Sequence, residues 1–484
     1  MQTAIIIGTG FSGLCQAIKL KEQGIHDFII LEKAEELGGT WRENTYPGAE
    51  CDIPSALYSY SFEPYPYWEY KWSHQPQILE YLKHCATKYD LNPHIHFKKE
   101  MTAAKWNEPS NSWSVICTDN SHYKTQNLII AIGQLHHPSI PTYKGKEQFE
   151  GISFHSAQWN HKTDLNHKTI GVIGNAASAV QFIPEIAKTA KKVVVFQRSA
   201  NWMLPKQDRL YKDWEKKLVK RFPILLRTYR LRLWLMGGAL YFLMKKGNNL
   251  FRSFYQFLCK RYMKSKIDDS KLQEKLIPNF PFGAKRVLFS DNYYDALNQE
   301  NVEVVTQPIT KIHEKGIQTS SSQDYNLDVL IYATGFIANP FLLNLEVTGT
   351  NGLTIQKYWK DAPKAYLGIT VSNFPNLYMM FGPNTNLGHN SVIIMSEAQA
   401  NYIAKCIKGQ KSNQWKSMEI KQEIEAKYNH SIQKRLQNMI WTQIENSWYK
   451  SPSGNHIPNN YPGRTMEYIR KTKKVDFGVF NIGK

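Results

Sequence analysis

Near the N-terminus, a short apolar run, Ala4–Ile7, leads directly into Gly8-Thr9-Gly10-Phe11-Ser12-Gly13. The residues that follow, Leu14 to Leu20, carry apolar side chains at helical spacing. Strand, glycine turn and helix in this order restrict a chain to a few α/β architectures built on a buried parallel strand. The first glycine permits the tight turn. The second lets backbone approach a pyrophosphate, and the third lets helix and strand pack closely. The positive end of the helix favours the bound negative charge. A second apolar run, Asp27–Leu31, ends in Glu32, followed by Lys33. Glu32 lies 19 residues past Gly13, where a carboxylate accepts hydrogen bonds from a ribose diol.

The pattern recurs. Lys168–Ile173 predicts a strand, Gly174-Asn175-Ala176-Ala177-Ser178-Ala179 a turn, and Val193–Phe196 the next strand. Ala176 and Ala179 stand where the second and third glycines belong. Each added methyl is either tolerated or displaces a pyrophosphate, and the sequence leaves both open. Arg198 lies 19 residues past Ala179, matching the Gly13–Glu32 spacing. A cation there suits a 2′-phosphate, which a carboxylate would repel. The first site is therefore expected to take FAD, and the second to prefer NADPH to NADH. Two further turns, Ala131-Ile132-Gly133 and Ala333-Thr334-Gly335-Phe336, follow the apolar runs Leu128–Ile130 and Val329–Tyr332. They are read as crossings between two domains.

A length of 484 residues allows two or three domains at about 150 residues each. Hydrophobic residues at 42% and charged residues at 21% exclude a disordered chain. Cys15, Cys51, Cys85, Cys117, Cys259 and Cys406 form no CxxC pair. This argues against a disulfide scaffold or zinc ribbon and for a reducing, cytoplasmic compartment; no metal site is expected. Met1–Cys15 has no basic leader, and the apolar run Leu233–Met244 spans 12 residues, too short for a membrane. The formal charge is +19, from 60 Lys and Arg against 41 Asp and Glu.

Beyond the glycine turns, several stretches carry a resemblance. These are Gly38-Gly39-Thr40-Trp41 with Tyr46-Pro47-Gly48-Ala49-Glu50-Cys51-Asp52, and Phe149-x-Gly151 followed by His155 and Trp159. Gly283-Ala284-Lys285-Arg286, Gly382-Pro383-Asn384-Thr385-Asn386-Leu387-Gly388-His389 and Tyr461-Pro462-Gly463 complete the set. Together they resemble the class B flavin-dependent monooxygenases of Baeyer–Villiger type, which are related to the N- and S-oxidising flavin monooxygenases. The matches run from residue 8 to about 465. One departure is Asn160, which follows Trp159 where the family usually has Pro or Asp.

The resemblance implies that NADPH reduces FAD, that O2 adds to give a C4a-peroxyflavin, and that a ketone becomes an ester or lactone. It implies Arg286 as the fixed cation for the anionic oxygen species, with Asp52 orienting it. Lys285 is assigned to the 2′-phosphate with Arg198 and Ser199. Trp41 and Tyr58 are expected to line the flavin ring. Gly39 and Thr40 join the FAD site, and Gly174, Asn175, Ala176 and Ser178 the NADPH site. His155 is assigned a linking role and Cys51 a packing one. The substrate is expected to be a small apolar organic ketone. N- or S-oxygenation is the alternative chemistry. An uncoupled NADPH oxidase, or an FAD-binding protein that no longer oxygenates, is the alternative class.

The expected fold is α/β, with two Rossmann-like dinucleotide-binding domains and a helical insert. Residues 1–137 and 326–484 are assigned to the FAD domain, 138–325 to the NADPH domain, and 205–270 to the insert. Pro205–Lys266 holds seventeen Lys and Arg against three Asp and Glu, a net +14. Its helical pattern is expected to break at Pro223 and at Gly237-Gly238. Two readings stand for it: a cover over the active site with a solvated basic face, or basic amphipathic helices resting on an anionic membrane. Nucleic acid is not expected, since no recognised module accompanies the charge. Oligomeric state is left open.

Overall fold

The computed structural model describes the whole chain apart from residues 248–249, 339–340, 361, 445–446, 452 and 455. Two parallel sheets organise it. In the first, Gln2–Ile7 lies between Phe28–Leu31 and His122–Ile130, parallel to both. Leu377–Met379 adds a further parallel pairing to His122–Ile130. The apolar runs are buried on both faces, as a sheet covered on both sides requires. Met101–Asn107, Ser112–Cys117 and His122–Ile130 form an antiparallel meander at one side.

The second sheet is entirely parallel. Its order is Val302–Val305, Lys192–Phe196, Thr169–Ile173, Val329–Tyr332, Ile152–His155. Val329–Tyr332 thus lies inside this sheet, so a boundary at 325/326 is too early. The chain crosses back only after Tyr332. The two crossings pair with each other: Ser139 N–H donates to the Gly335 carbonyl and Ile337 N–H to that of His137 (2.9 and 2.8 Å).

The insert is helical over Asp213–Arg221, Pro223–Ala239 and Leu250–Lys264, with a 3-10 turn at Leu240–Met244. Pro223 opens its helix, where the missing N–H costs nothing. Gly237-Gly238 does not break it, contrary to expectation. A Cβ at Gly237 would sit 2.9 Å from both Asn390 Nδ2 and the His389 carbonyl. Glycine here lets the helix approach the Gly382–His389 stretch, and that packing outweighs a propensity cost of about 1 kcal/mol per residue. Arg230 pins the same helix, donating to the carbonyls of Ala56, Leu57 and Ser59. Tyr241, Leu243, Met244 and Cys259 of the insert share a core with Leu387, Trp441 and Tyr461. The six cysteines are buried and free.

Candidate active site

Gly8, at φ +102°, holds a backbone that L side chains rarely adopt, and a Cβ there would meet the Ala131 carbonyl oxygen at 2.9 Å. A Cβ on Gly13 would lie 1.9 Å from the Gly8 carbonyl oxygen. The helix Phe11–Glu22 therefore starts directly against the strand, and its first N–H groups have no partner within the helix. Gly39 faces Gly10 across this mouth, with an added Cβ 3.1 Å from the Gly10 Cα. Glu32 is buried. It accepts from the Thr9 N–H and hydroxyl (3.0 and 2.5 Å) and from the Ala34 N–H (3.0 Å). Lys33 pairs with Glu43 (3.3 Å) at the edge of the same mouth. Ser12 bonds Ser396 (3.1 Å), and the Phe11 carbonyl accepts from the Tyr60 hydroxyl (2.6 Å). Trp41, just after Thr40, donates from Nε1 to the Tyr58 hydroxyl (3.1 Å), and the Tyr58 ring meets Phe11 edge-on. These residues fit FAD: a glycine cradle without room for side chains, a helix N-terminus, a carboxylate at the second strand and an aromatic wall.

The second mouth is built alike. Gly174, at φ +107°, would place a Cβ 2.3 Å from the Ala333 carbonyl oxygen. Ala179 is fully buried in the core between helix and sheet, and Ala176 is exposed at the helix N-terminus. Asn175 Nδ2 donates to Gln197 Oε1 and to the Ser199 carbonyl (2.8 and 3.0 Å). Lys285 Nζ donates to Ser199 Oγ (3.1 Å), although 86 residues separate the two. Burial and the nearby Arg198 charge pull the Lys285 ammonium below its ordinary range. Two cations near one another beside a hydroxyl fit a 2′-phosphate.

Between the two mouths, Arg286 and Asp52 meet in a bidentate pair. Nη2 to Oδ1 and Nε to Oδ2 are both 2.5 Å. Asp52 follows the Gly38–Trp41 stretch, and Arg286 arrives from the other side of the junction, 234 residues later. The Arg286 side chain keeps 43% of its surface accessible, so the guanidinium is held on one edge and open on another. The carboxylate raises its affinity for the proton above the ordinary guanidinium value. The Tyr449 hydroxyl bonds the Arg286 backbone; burial pushes that phenol up to about 12. Burial also pushes the Cys51 thiol up, so it carries no thiolate nucleophile.

The junction also contains Gln181 and Lys206, which the sequence did not single out. Gln181 accepts from the Tyr46 hydroxyl (2.9 Å) and donates to the Glu50 carbonyl (2.9 Å). Tyr46 also bonds Ser178. Lys206, buried, pairs with Glu50 at 2.5 Å. His155 accepts from Ala157 N–H (3.1 Å), bonds the Gly335 backbone and lies edge-on to Phe336. It ties the end of the strand Ile152–His155 to the second crossing. Trp159 packs beside Tyr46 and Phe182, and Asn160 accepts from the Lys162 and Thr163 N–H groups.

Two dinucleotide mouths facing one arginine–carboxylate pair define a flavoprotein of the two-domain oxygenase class. A family model described as flavin-binding monooxygenase-like matches residues 1–448, and the chain belongs to that family. A Baeyer–Villiger monooxygenase of Pseudomonas aeruginosa is 36% identical, covering 99% of this chain and 90% of that protein. The FAD-binding monooxygenase ktnD of Aspergillus niger is 38% identical over 99% of this chain and 81% of its own length. Among solved structures, the OTEMO complex with FAD and NADP aligns over 100% of this chain and 99% of that one, at TM-score 0.89 and 27% identity. Closed cyclohexanone monooxygenase aligns over the same shares at TM-score 0.88 and 26% identity.

Proposed function

We propose that the chain catalyses FAD- and NADPH-dependent Baeyer–Villiger oxygenation of a small apolar ketone to an ester or lactone. The observation that carries this reading is the bidentate Asp52–Arg286 pair between the two mouths. FAD, reduced by NADPH, supplies the oxygen-transfer chemistry. The protein contributes position and charge. Asp52 holds the guanidinium plane, so the remaining Arg286 N–H groups point in a fixed direction. They stabilise the oxyanion that develops on the ketone oxygen, without reorganising when it forms. Arg198, Ser199 and Lys285 hold the 2′-phosphate. Glu32 and the Gly8–Gly13 turn hold the FAD ribose and pyrophosphate, and Trp41 and Tyr58 wall the flavin ring. The helices of the insert, packed on Ala56–Ser59 and on Gly382–His389, keep bulk water from the junction.

Oxygenation of an amine or sulfide uses a neutral, electrophilic oxidant and does not call for a fixed cation at the reacting oxygen. The arginine pair therefore favours the ketone. Ala179 lies in the core and not in the mouth, which supports reading the second mouth as a working site. Among the described residues no helix is long and apolar enough to cross a membrane. The reading places the enzyme in the cytoplasm, with residues 205–266 as its peripheral contact with a membrane face.

The test is a panel of linear, cyclic and aromatic ketones with amines and sulfides, under oxygen-18 gas with NADPH. Labelled esters or lactones from ketones are expected. Labelled N- or S-oxides alone, or peroxide alone, would contradict the reading.

A further inference from the structure

Fourteen of the twenty-three large apolar residues exposed at the described surface lie within residues 205–266. They are ordered. On the helix Pro223–Ala239, the inward side carries Arg230 and Trp234, bonded to the FAD domain through Ser59 and Thr465. The opposite side presents Ile224, Leu231 and Leu235, at 63, 49 and 60% exposure. Their spacing, i, i+7 and i+11, makes one stripe along a helix. Exposed Arg227 and Arg232 lie on either side of it. On Asp213–Arg221, Trp214 and Leu218 form a shorter stripe, with Lys217 and Arg221 exposed nearby. On Leu250–Lys264, Leu250, Phe254 and Phe257 stand at i, i+4 and i+7, and Lys260 and Lys264 lie exposed toward its C-terminal end. Arg227, Arg232, Lys217, Arg221, Lys260 and Lys264 make no ion pair among the described residues.

We propose that the outward sides of these helices dock on an anionic lipid bilayer. The inference rests on the peripheral contact proposed for the insert and is independent of the substrate oxygenated. Three helices each combine an outward apolar stripe with uncompensated cations, which is how helices lie in a bilayer interface. The apolar side chains enter the acyl boundary while Lys and Arg stems reach back to lipid phosphates. The net +14 of the segment selects the occupant. A second copy of the chain would bring two such surfaces together and be repelled. A nucleic acid would match the charge but leave Ile, Leu, Phe and Trp uncovered. An anionic bilayer satisfies both halves of the surface at once.

The experiment is flotation of the FAD-loaded protein with two kinds of vesicle: phosphatidylcholine alone, and phosphatidylcholine with about a third phosphatidylglycerol. The protein should float with the anionic vesicles only, and high salt should weaken the association. The double variant Arg227→Gln/Arg232→Gln should lower the partition on the order of thirtyfold. Ile224→Ser/Leu231→Ser/Leu235→Ser should lower it as well, while FAD content and turnover of a water-soluble ketone stay unchanged. These substitutions are at exposed positions, and the FAD content reports that the variants fold. No flotation, equal flotation with neutral vesicles, or equally strong capture by soluble polyglutamate would overturn the proposal. Ketone turnover is read in the same samples, so a failure of docking is distinguishable from a failure of the oxygenation reading.

Discussion

At the scale of single residues, each mouth is a balance between what a side chain adds and what the backbone leaves room for. Lys285 and Arg198 repel one another unless an anion lies between them. Arg198→Ala or Lys285→Ala should raise the Michaelis constant for NADPH about ten- to hundredfold, the worth of one charged hydrogen bond. NADH should be little affected; steady-state kinetics with both cofactors checks this. His389 makes a second case. It is buried, neither ring nitrogen has a hydrogen-bond partner among the described residues, and burial with the Arg464 charge pulls it down to about 4. The unfolded chain therefore binds the proton first as pH falls. The stability from the neutral ring is full above about pH 6.5 and is lost as pH falls toward 4. Thermal melting should drop across that window, and His389→Leu should flatten the drop. The glycine turns and Glu32 were legible because their chemistry is local. Tyr449, Gln181 and the Glu50–Lys206 pair were not, since nothing within a few residues of any of them indicates its partner.

At the scale of elements, the two strand–turn–helix units test how much of the fingerprint is needed. Gly13→Ala puts a methyl 1.9 Å from a carbonyl oxygen, so it should abolish FAD retention on purification. Ala179→Gly removes a buried methyl inside a helix and should cost about 1 kcal/mol of stability without tightening NADPH binding. Flavin absorbance and cofactor titration read the two outcomes. The strands were legible from their apolar runs, although their ends were not: Ala4–Ile7 extends to Gln2, and Leu128–Ile130 is the end of a strand from His122. The helix through Gly237 was misread because propensity is local, whereas its reason for glycine is His389 and Asn390, more than 150 residues away. Val329–Tyr332 was assigned to the wrong domain because a parallel sheet takes its central strands from distant parts of the chain.

At the scale of the whole molecule, the reacting centre proposed for the chain draws on both halves of the structure. Asp52 and Arg286 come from opposite sides of a junction that Tyr46, Gln181, Trp159 and His155 hold closed. Their pairing was readable only through resemblance to a family, since two residues 234 apart carry no mutual signal. The charge of the molecule is uneven as well: most of its +19 is concentrated in one insert, and Arg198, Lys285 and Arg286 are the junction cations for which anions are proposed. The central claim is that one of these, Arg286, supports oxygen transfer to a ketone and not flavin reduction. The most direct measurement is Arg286→Ala, with ester formation and NADPH-driven flavin reduction followed in the same preparation. Ester formation should fall by about 10²–10³-fold, the cost of losing one preorganised donor, while flavin reduction by NADPH persists. Undiminished ester formation would contradict the account.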